Sequence, residues 1–260
     1  MNRNRAYDIN DDVHGNLNID NTNPNAFIQR TYRHRSLQPC RIPSLWFKKM
    51  FLNGQFPFRV QHFNSGNRLQ WTVLKDQSEA SLSEHINALD INVILPNLFD
   101  GLCECERPFN IVATLAIKDV LSVATHKIDV ALMRQISLLI RRALLTRNPS
   151  VAINCIEVLE TLIAGDNDNG HGVGQCIIPF MGLIIAPIAF FENYRGHNPC
   201  KFLSSSLIYE ENRMTADHLI QYSVKHFFAM LEDICGYEGY RMIKSHVPKY
   251  DSQRGFGLKT

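Results

Sequence analysis

Cys103 and Cys105 stand one residue apart, and two thiolates so placed are chemically able to hold a soft metal. No second C-x-x-C or H-x-H pair stands nearby to complete a tetrahedral set, so the pair reads as structural thiols packed among apolar neighbours. His218 and His226 are eight residues apart and share a helical face. Two turns separate them, too far for the adjacent-turn geometry of an H-E-x-x-H site, and surface or hydrogen-bonded core histidines are the simpler reading. Gly170-His-Gly-Val-Gly174 lacks the Gly-Lys-Ser/Thr of a phosphate loop and the strand-to-helix setting of a dinucleotide fingerprint, which leaves an interhelical loop. Asp166-Asn-Asp-Asn-Gly170 begins like a calcium loop, but its glycine falls at the fifth position rather than the sixth, and Ile177 stands where the bidentate Glu belongs. No Gly-x-Ser-x-Gly elbow is present, and no cysteine sits in a nucleophile signature. The expectation is a non-catalytic protein without cofactor or metal.

Composition narrows the class further. The 260 residues are 45% hydrophobic, enough for one folded core with length left for an extended arm. A formal charge of +2 and a pI near 8.2 are too mild for a nucleic-acid-binding domain, so an acidic partner must be met by local patches. Seven cysteines, odd in number and without a paired framework, fit reduced thiols in the cytoplasm or cytoskeleton. The first residues carry Asp8, Asp11 and Asp12 rather than an apolar stretch, so no export is expected. The most apolar run, Cys176 to Phe191, holds Pro179 and Pro187 and falls short of the roughly 20 residues a membrane span needs. It reads as a buried helix pair or one kinked helix.

Periodicity then places the elements that would carry any site. Residues 1–44 are rich in Asn, have no sustained helical period and form an extended arm. The arm turns basic at Arg30, Arg33, Arg35 and Arg41, followed by Lys48 and Lys49 after Trp46 and Phe47. This cluster is either a solvated tail or an electrostatic contact to an acidic partner. Phe58 to His62 and Leu69 to Val73 alternate apolar with polar around Asn64-Ser-Gly-Asn67, a short hairpin. Helical spacing begins near residue 84. Phe109, Val112, Ala113, Ala116, Ile117, Val120, Leu121 and Ala124 line one face behind Pro108. Ile128, Ala131, Leu132, Ile136, Leu139 and Ala143 line the next. Asn148-Pro149 opens a third helix with Val151, Ala152, Cys155, Leu159, Leu162 and Ile163 inward, and Gly165 ends it. A fourth helical region spans 173–191 and a fifth runs from Thr215 to Ile234. Arg141, Arg142 and Arg147 fit cations favoured at a helix C-terminus. Helix pairs of roughly 40 residues suggest an all-α, armadillo/HEAT-like repeat over residues 45–252, with a tail at 253–260. The pairs do not align at sequence level, so a compact irregular bundle stays open.

An ordered series of segments carries a more specific likeness. Phe56-Pro57, His62, Gly66-Asn67, Trp71, Leu89-Asp90, Leu95-Pro96, Phe99-Asp-Gly-Leu-Cys-Glu104, Pro108-Phe109, Thr146-Arg-Asn-Pro149, Leu219-Ile220 and Val247-Pro248 with Tyr250 resemble the parkin co-regulated protein family. The resemblance spans about residues 50–252. It implies an armadillo-like fold and a structural role at the inner junction of ciliary doublet microtubules, where such proteins bridge A- and B-tubules by binding α/β-tubulin. Implied neighbours are other inner-junction and microtubule inner proteins, with no nucleic acid and no membrane. The implied location is cytoplasm and cytoskeleton, in the axoneme of a cilium or flagellum. Carried over, Phe99, Asp100, Gly101, Leu102, Cys103 and Glu104, with Thr146, Arg147, Asn148 and Pro149, define turns and helix boundaries. The arm has no clear counterpart in the family; the basic cluster of Arg30, Arg33, Arg35, Arg41, Lys48 and Lys49 supplies the candidate tubulin contacts on charge alone. The competing expectation is a soluble helical-repeat adaptor or chaperone-linked scaffold that uses the same surface on another protein.

Overall fold

The structure, a computed structural model, describes residues 42–63, 66–74, 80–164, 176–194 and 216–255. The chain divides after Gln38 into two units, and all described residues belong to the second. Arg30, Arg33, Arg35 and Arg41 lie outside the described residues, as do both glycine- and aspartate-rich segments within 165–175.

A six-residue helix, α1 (Phe47–Leu52), leads into an antiparallel hairpin of β1 (Phe58–Phe63) and β2 (Gly66–Trp71). Phe58 pairs with Trp71, and pairing runs to Phe63 opposite Gly66. Gly66 and Asn67 are thus strand rather than turn, and Val73 lies past the ladder. Phe58 and Trp71 point to one face, meet edge-on at 5.0 Å and are buried. The Trp71 indole N–H donates to Asp119 at 2.9 Å, which docks the ribbon on the helical body and satisfies a half-apolar side chain at both ends.

The helices follow as α2 (Leu82–Asn87), α3 (Ile91–Asp100), α4 (Phe109–Ala124), α5 (Val130–Leu144), α6 (Pro149–Ala164), α7 (Met181–Ala189) and α8 (Ala216–His246). Local chemistry starts several of them. Ser81 and Glu84 form a reciprocal capping box on α2, Asp90 accepts from the Asn92 N–H at 3.0 Å, and Asp129 accepts from the Leu132 N–H at 2.7 Å. In the apolar run expected to be a helix pair or a kinked helix, a 3-10 turn at Ile178–Phe180 feeds α7, with Pro187 inside it. The last helix does not stop at Ile234: Gly236, at φ 58 and ψ −137, bends the chain where a Cβ would be strained, and helical structure resumes to His246.

Packing sorts these helices into two rows. Helices α3, α5 and α7 touch in succession on one side, and α4, α6 and α8 do so on the other, while α3 with α4, α5 with α6 and α7 with α8 are the cross-row pairs. This is the order a stack of helical pairs produces, each pair covering the apolar face of the one before. It also explains two contrasting patterns. Helix α6 is enclosed by α4, α5 and α8, and Val151, Ala152, Ile153, Ile156, Val158, Leu159, Leu162 and Ile163 are buried around most of its circumference. Helix α5 is one-sided: Leu132, Met133, Ile136, Ile140, Ala143 and Leu144 are buried, and Ala131, expected inward, is exposed. No helix among the described residues is long and apolar enough to cross a membrane.

Candidate functional site

Several long-range polar contacts converge on a socket built by the segment from Phe99 to Glu104. Phe99 and Leu102 are buried and anchor the C-terminal end of α3 and the 3-10 turn at Gly101–Cys103 in the core. That leaves Asp100 and Glu104, 4% and 3% exposed, aimed at the chain that precedes α1. Asp100 accepts backbone N–H bonds from Leu45 at 3.1 Å, Trp46 at 2.7 Å and Phe47 at 3.1 Å. These are donors that the start of a helix leaves without intrahelical partners. Glu104 accepts from the Ser44 N–H at 2.9 Å and from its hydroxyl. Arg142 closes the arrangement, donating one guanidinium N–H to Asp100 at 2.6 Å and another to the Pro43 carbonyl. A buried carboxylate is costly without a cation and further hydrogen bonds, and Asp100 has both.

Gly101 serves the same contact sterically. A Cβ at this position would lie 2.6 Å from the Phe47 ring and 2.8 Å from Ala113, so the ring seats directly on the glycine backbone. Phe47 is fully buried and packs on Phe51 and Phe56, with centroids at 6.1 and 5.2 Å. Cys103 donates to the Asp100 carbonyl at 3.1 Å, and burial pushes its thiol up to about 12 although Arg142 opposes the shift. The thiol is therefore held protonated as part of the packing. Cys155 is fully buried and shifted in the same direction by burial.

The second motif meets the first. Asn148 donates from its side-chain amide to the Cys105 sulfur at 3.4 Å and accepts from the Ser150 N–H at 2.9 Å, capping α6 ahead of Pro149. Thr146 is fully buried, and Arg147 takes φ 55 just after α5, the left-handed conformation that ends many helices. Its guanidinium then stands 5.3 Å from the centre of the Phe190 ring. Arg142 and Arg147 are thus placed by specific partners, a buried carboxylate and an aromatic face, rather than by the helix dipole alone.

A second carboxylate clamp lies at the other end of the body. Glu232, 1% exposed on α8, accepts from the Tyr250 hydroxyl at 2.7 Å, the Ser252 hydroxyl, and the Gln253 and Arg254 N–H groups at 3.3 Å each. Burial pushes its carboxyl up, but these four donors outweigh it and hold the group below its ordinary value. The same contact and burial push the Tyr250 phenol upward. Beside it is an open hollow of about 530 Å³ edged by His226, Met230, Asp233 and Arg254. Its polar groups are engaged: a His226 ring nitrogen lies 2.9 Å from the Glu160 carboxyl, and Arg254 pairs with Asp233.

Of the expected contact residues, Lys48 turns inward, 2.8 Å from Glu106 and 4.8 Å from the centre of the Phe109 ring, while Lys49 is exposed. His218 and His226 do not combine, because His226 stacks on Tyr222 at 6.2 Å and bonds Glu160. No group of His, Cys, Asp and Glu suited to a metal occurs among the described residues. Reasoning from the sequence misses Ser44, Glu232 and the role of Arg142. The available signal is only that Asp100 and Glu104 stand four residues apart beside an otherwise apolar stretch.

The arrangement can hold chain segments in place, and its acids are taken up in doing so. Residues 46–252, which run from the socket's ligand segment to the Glu232 clamp, match the family described as Parkin co-regulated protein. A mouse (Mus musculus) protein named Parkin coregulated gene protein homolog is 27% identical over 207 residues, covering 79% of this chain and 76% of its own length.

Proposed function

The chain belongs to the parkin co-regulated protein family, and from that premise we propose that it is a non-catalytic structural protein of the ciliary doublet microtubule. In this reading it binds α/β-tubulin at the inner junction, bridges A- and B-tubules, and contacts neighbouring inner-junction and microtubule inner proteins. The axoneme of a cilium or flagellum is the proposed location. The observation that carries the reading is the family match over residues 46–252. The geometry supports an adhesive rather than a chemical role: each buried carboxylate, Asp100, Glu104 and Glu232, is occupied by donors from the chain itself. A stack of helical pairs with both ends clamped suits a part that must keep its shape under load.

The test is co-sedimentation of the full chain with polymerised tubulin, together with localisation of a tagged copy. Binding at low salt that weakens as ionic strength rises, and a signal in purified axonemes, is the expected result. Absence from the pellet at low salt, with a diffuse distribution independent of cilia, would favour the adaptor reading instead.

A further inference from the structure

Among the described residues, the exposed face of α5 carries Val130, Arg134, Leu138 and Arg141, spaced four, four and three residues apart and so aligned in one stripe. Val130 is 55% exposed and Leu138 49%, and both arginines are exposed. Helix α5 contains no acidic residue, and the positions three and four away from either arginine hold only Val, Ala, Ser and Leu. Neither arginine makes an ion pair among the described residues. The stripe sits on the middle helix of its row, between α3 and α7. Arg142, the next residue in the chain, is instead engaged with Asp100 and takes no part in the stripe.

We propose that this stripe is the surface that docks an acidic protein face bearing apolar side chains between its carboxylates. The inference rests on the functional reading above, with polymerised tubulin as the acidic partner. Charge complementarity carries it: the stripe's charges are all cationic and have no acid of their own to neutralise them. Arginine favours carboxylates through its planar fork of donors. The apolar positions distinguish a protein face from a bare polyanion, because exposed Val130 and Leu138 gain only where they are desolvated against matching side chains. The division of labour follows: the arginines steer and select, and Val130 and Leu138 anchor.

Full-length chain and its variants are compared by co-sedimentation with polymerised tubulin across a salt series. The double variant R134E/R141E is expected to lose about tenfold or more in affinity at low salt and to flatten the salt dependence. V130S/L138S is expected to lose a few-fold with the salt dependence kept, because it removes anchors and leaves charge. K225E, at an exposed position on α8, is the control and binds as the parent does. Parent-like binding by both double variants overturns the stripe while leaving the functional reading standing. Failure of the parent itself to sediment at low salt overturns both. All substituted side chains are solvent-exposed, and melting curves that overlay the parent's confirm intact folding.

Discussion

The two ends of the helical body are tied down by the same device in different electrical settings. At the front, Asp100 and Glu104 reach back 53 and 60 residues to hold Phe47 and Ser44, and Asp100 is paired with the Arg142 cation. At the rear, Glu232 reaches forward 18 to 22 residues to hold Tyr250 through Arg254 with neutral donors, two hydroxyls and two backbone N–H groups. The front clamp closes a longer loop and pairs a buried carboxylate with a partly buried cation, so each partner depends on the other. The rear clamp closes a short loop, and its charge is solvated by dipoles alone. The difference teaches that a buried acid in this protein is a fastening, and that the strength of the fastening depends on whether a cation is paired with it.

The largest expected effect tests that dependence directly. Asp100→Asn keeps the shape but leaves the Arg142 guanidinium, whose side chain is 24% exposed, without its counter-charge. A loss of about 3 kcal/mol in unfolding free energy is expected from urea titration. Arg142→Met alone costs comparably, because Asp100 then keeps its backbone donors but loses its cation. The pair D100N/R142M should cost less than the sum of the singles, with a coupling of about 1–3 kcal/mol. Additive losses would show that the ion pair is incidental and that the backbone donors hold the segment unaided.

A sharper probe of the front clamp is steric. Gly101→Ala drives a methyl to within 2.6 Å of the Phe47 ring, for an expected loss of about 1–3 kcal/mol. Trimming the ring in F47L should recover part of that loss in the double variant, although F47L alone is destabilising because Phe47 is fully buried. If G101A is neutral, the ring is not seated on the glycine and the socket is held by its hydrogen bonds alone.

How far these features are legible in the sequence follows from their range. Helices α4 and α6 are readable because their apolar spacing runs over 16 residues each and their starts carry Pro108 or Asn148-Pro149. Helix α1 is not: six residues, FKKMFL, show no period, and the cap on its first donors comes from Asp100, 53 positions away. Ala131 is misplaced inward because α5 packs with a face rotated toward Met133, Ile140 and Leu144, which only the positions of α3, α6 and α7 determine. The family motif was visible as a string, whereas its role was not, because Ser44 and Arg142 approach it from opposite directions in the chain. The same reason hides Glu232, whose partners follow a bend at Gly236 that lets the chain double back.

The smallest expected effect belongs to the rear clamp and is best read against pH. Glu232→Gln preserves the length and one acceptor oxygen, and it strands no cation, so a loss of about 1 kcal/mol at neutral pH is expected. The sign follows from linkage: the folded carboxyl titrates below its ordinary value of 4.5, so its stabilisation is complete above that value and is lost as pH falls through the folded value. The stability gap between parent and E232Q should therefore be constant from neutral pH downward until about 4.5, then close. Asp119 titrates with the opposite sign, since burial raises its carboxyl and the Trp71 indole only partly offsets this, so D119N should gain stability relative to the parent as pH rises. A gap at Glu232 that widens on acidification would mean that burial outweighs the four donors there, and that the rear clamp strains the fold rather than fastening it.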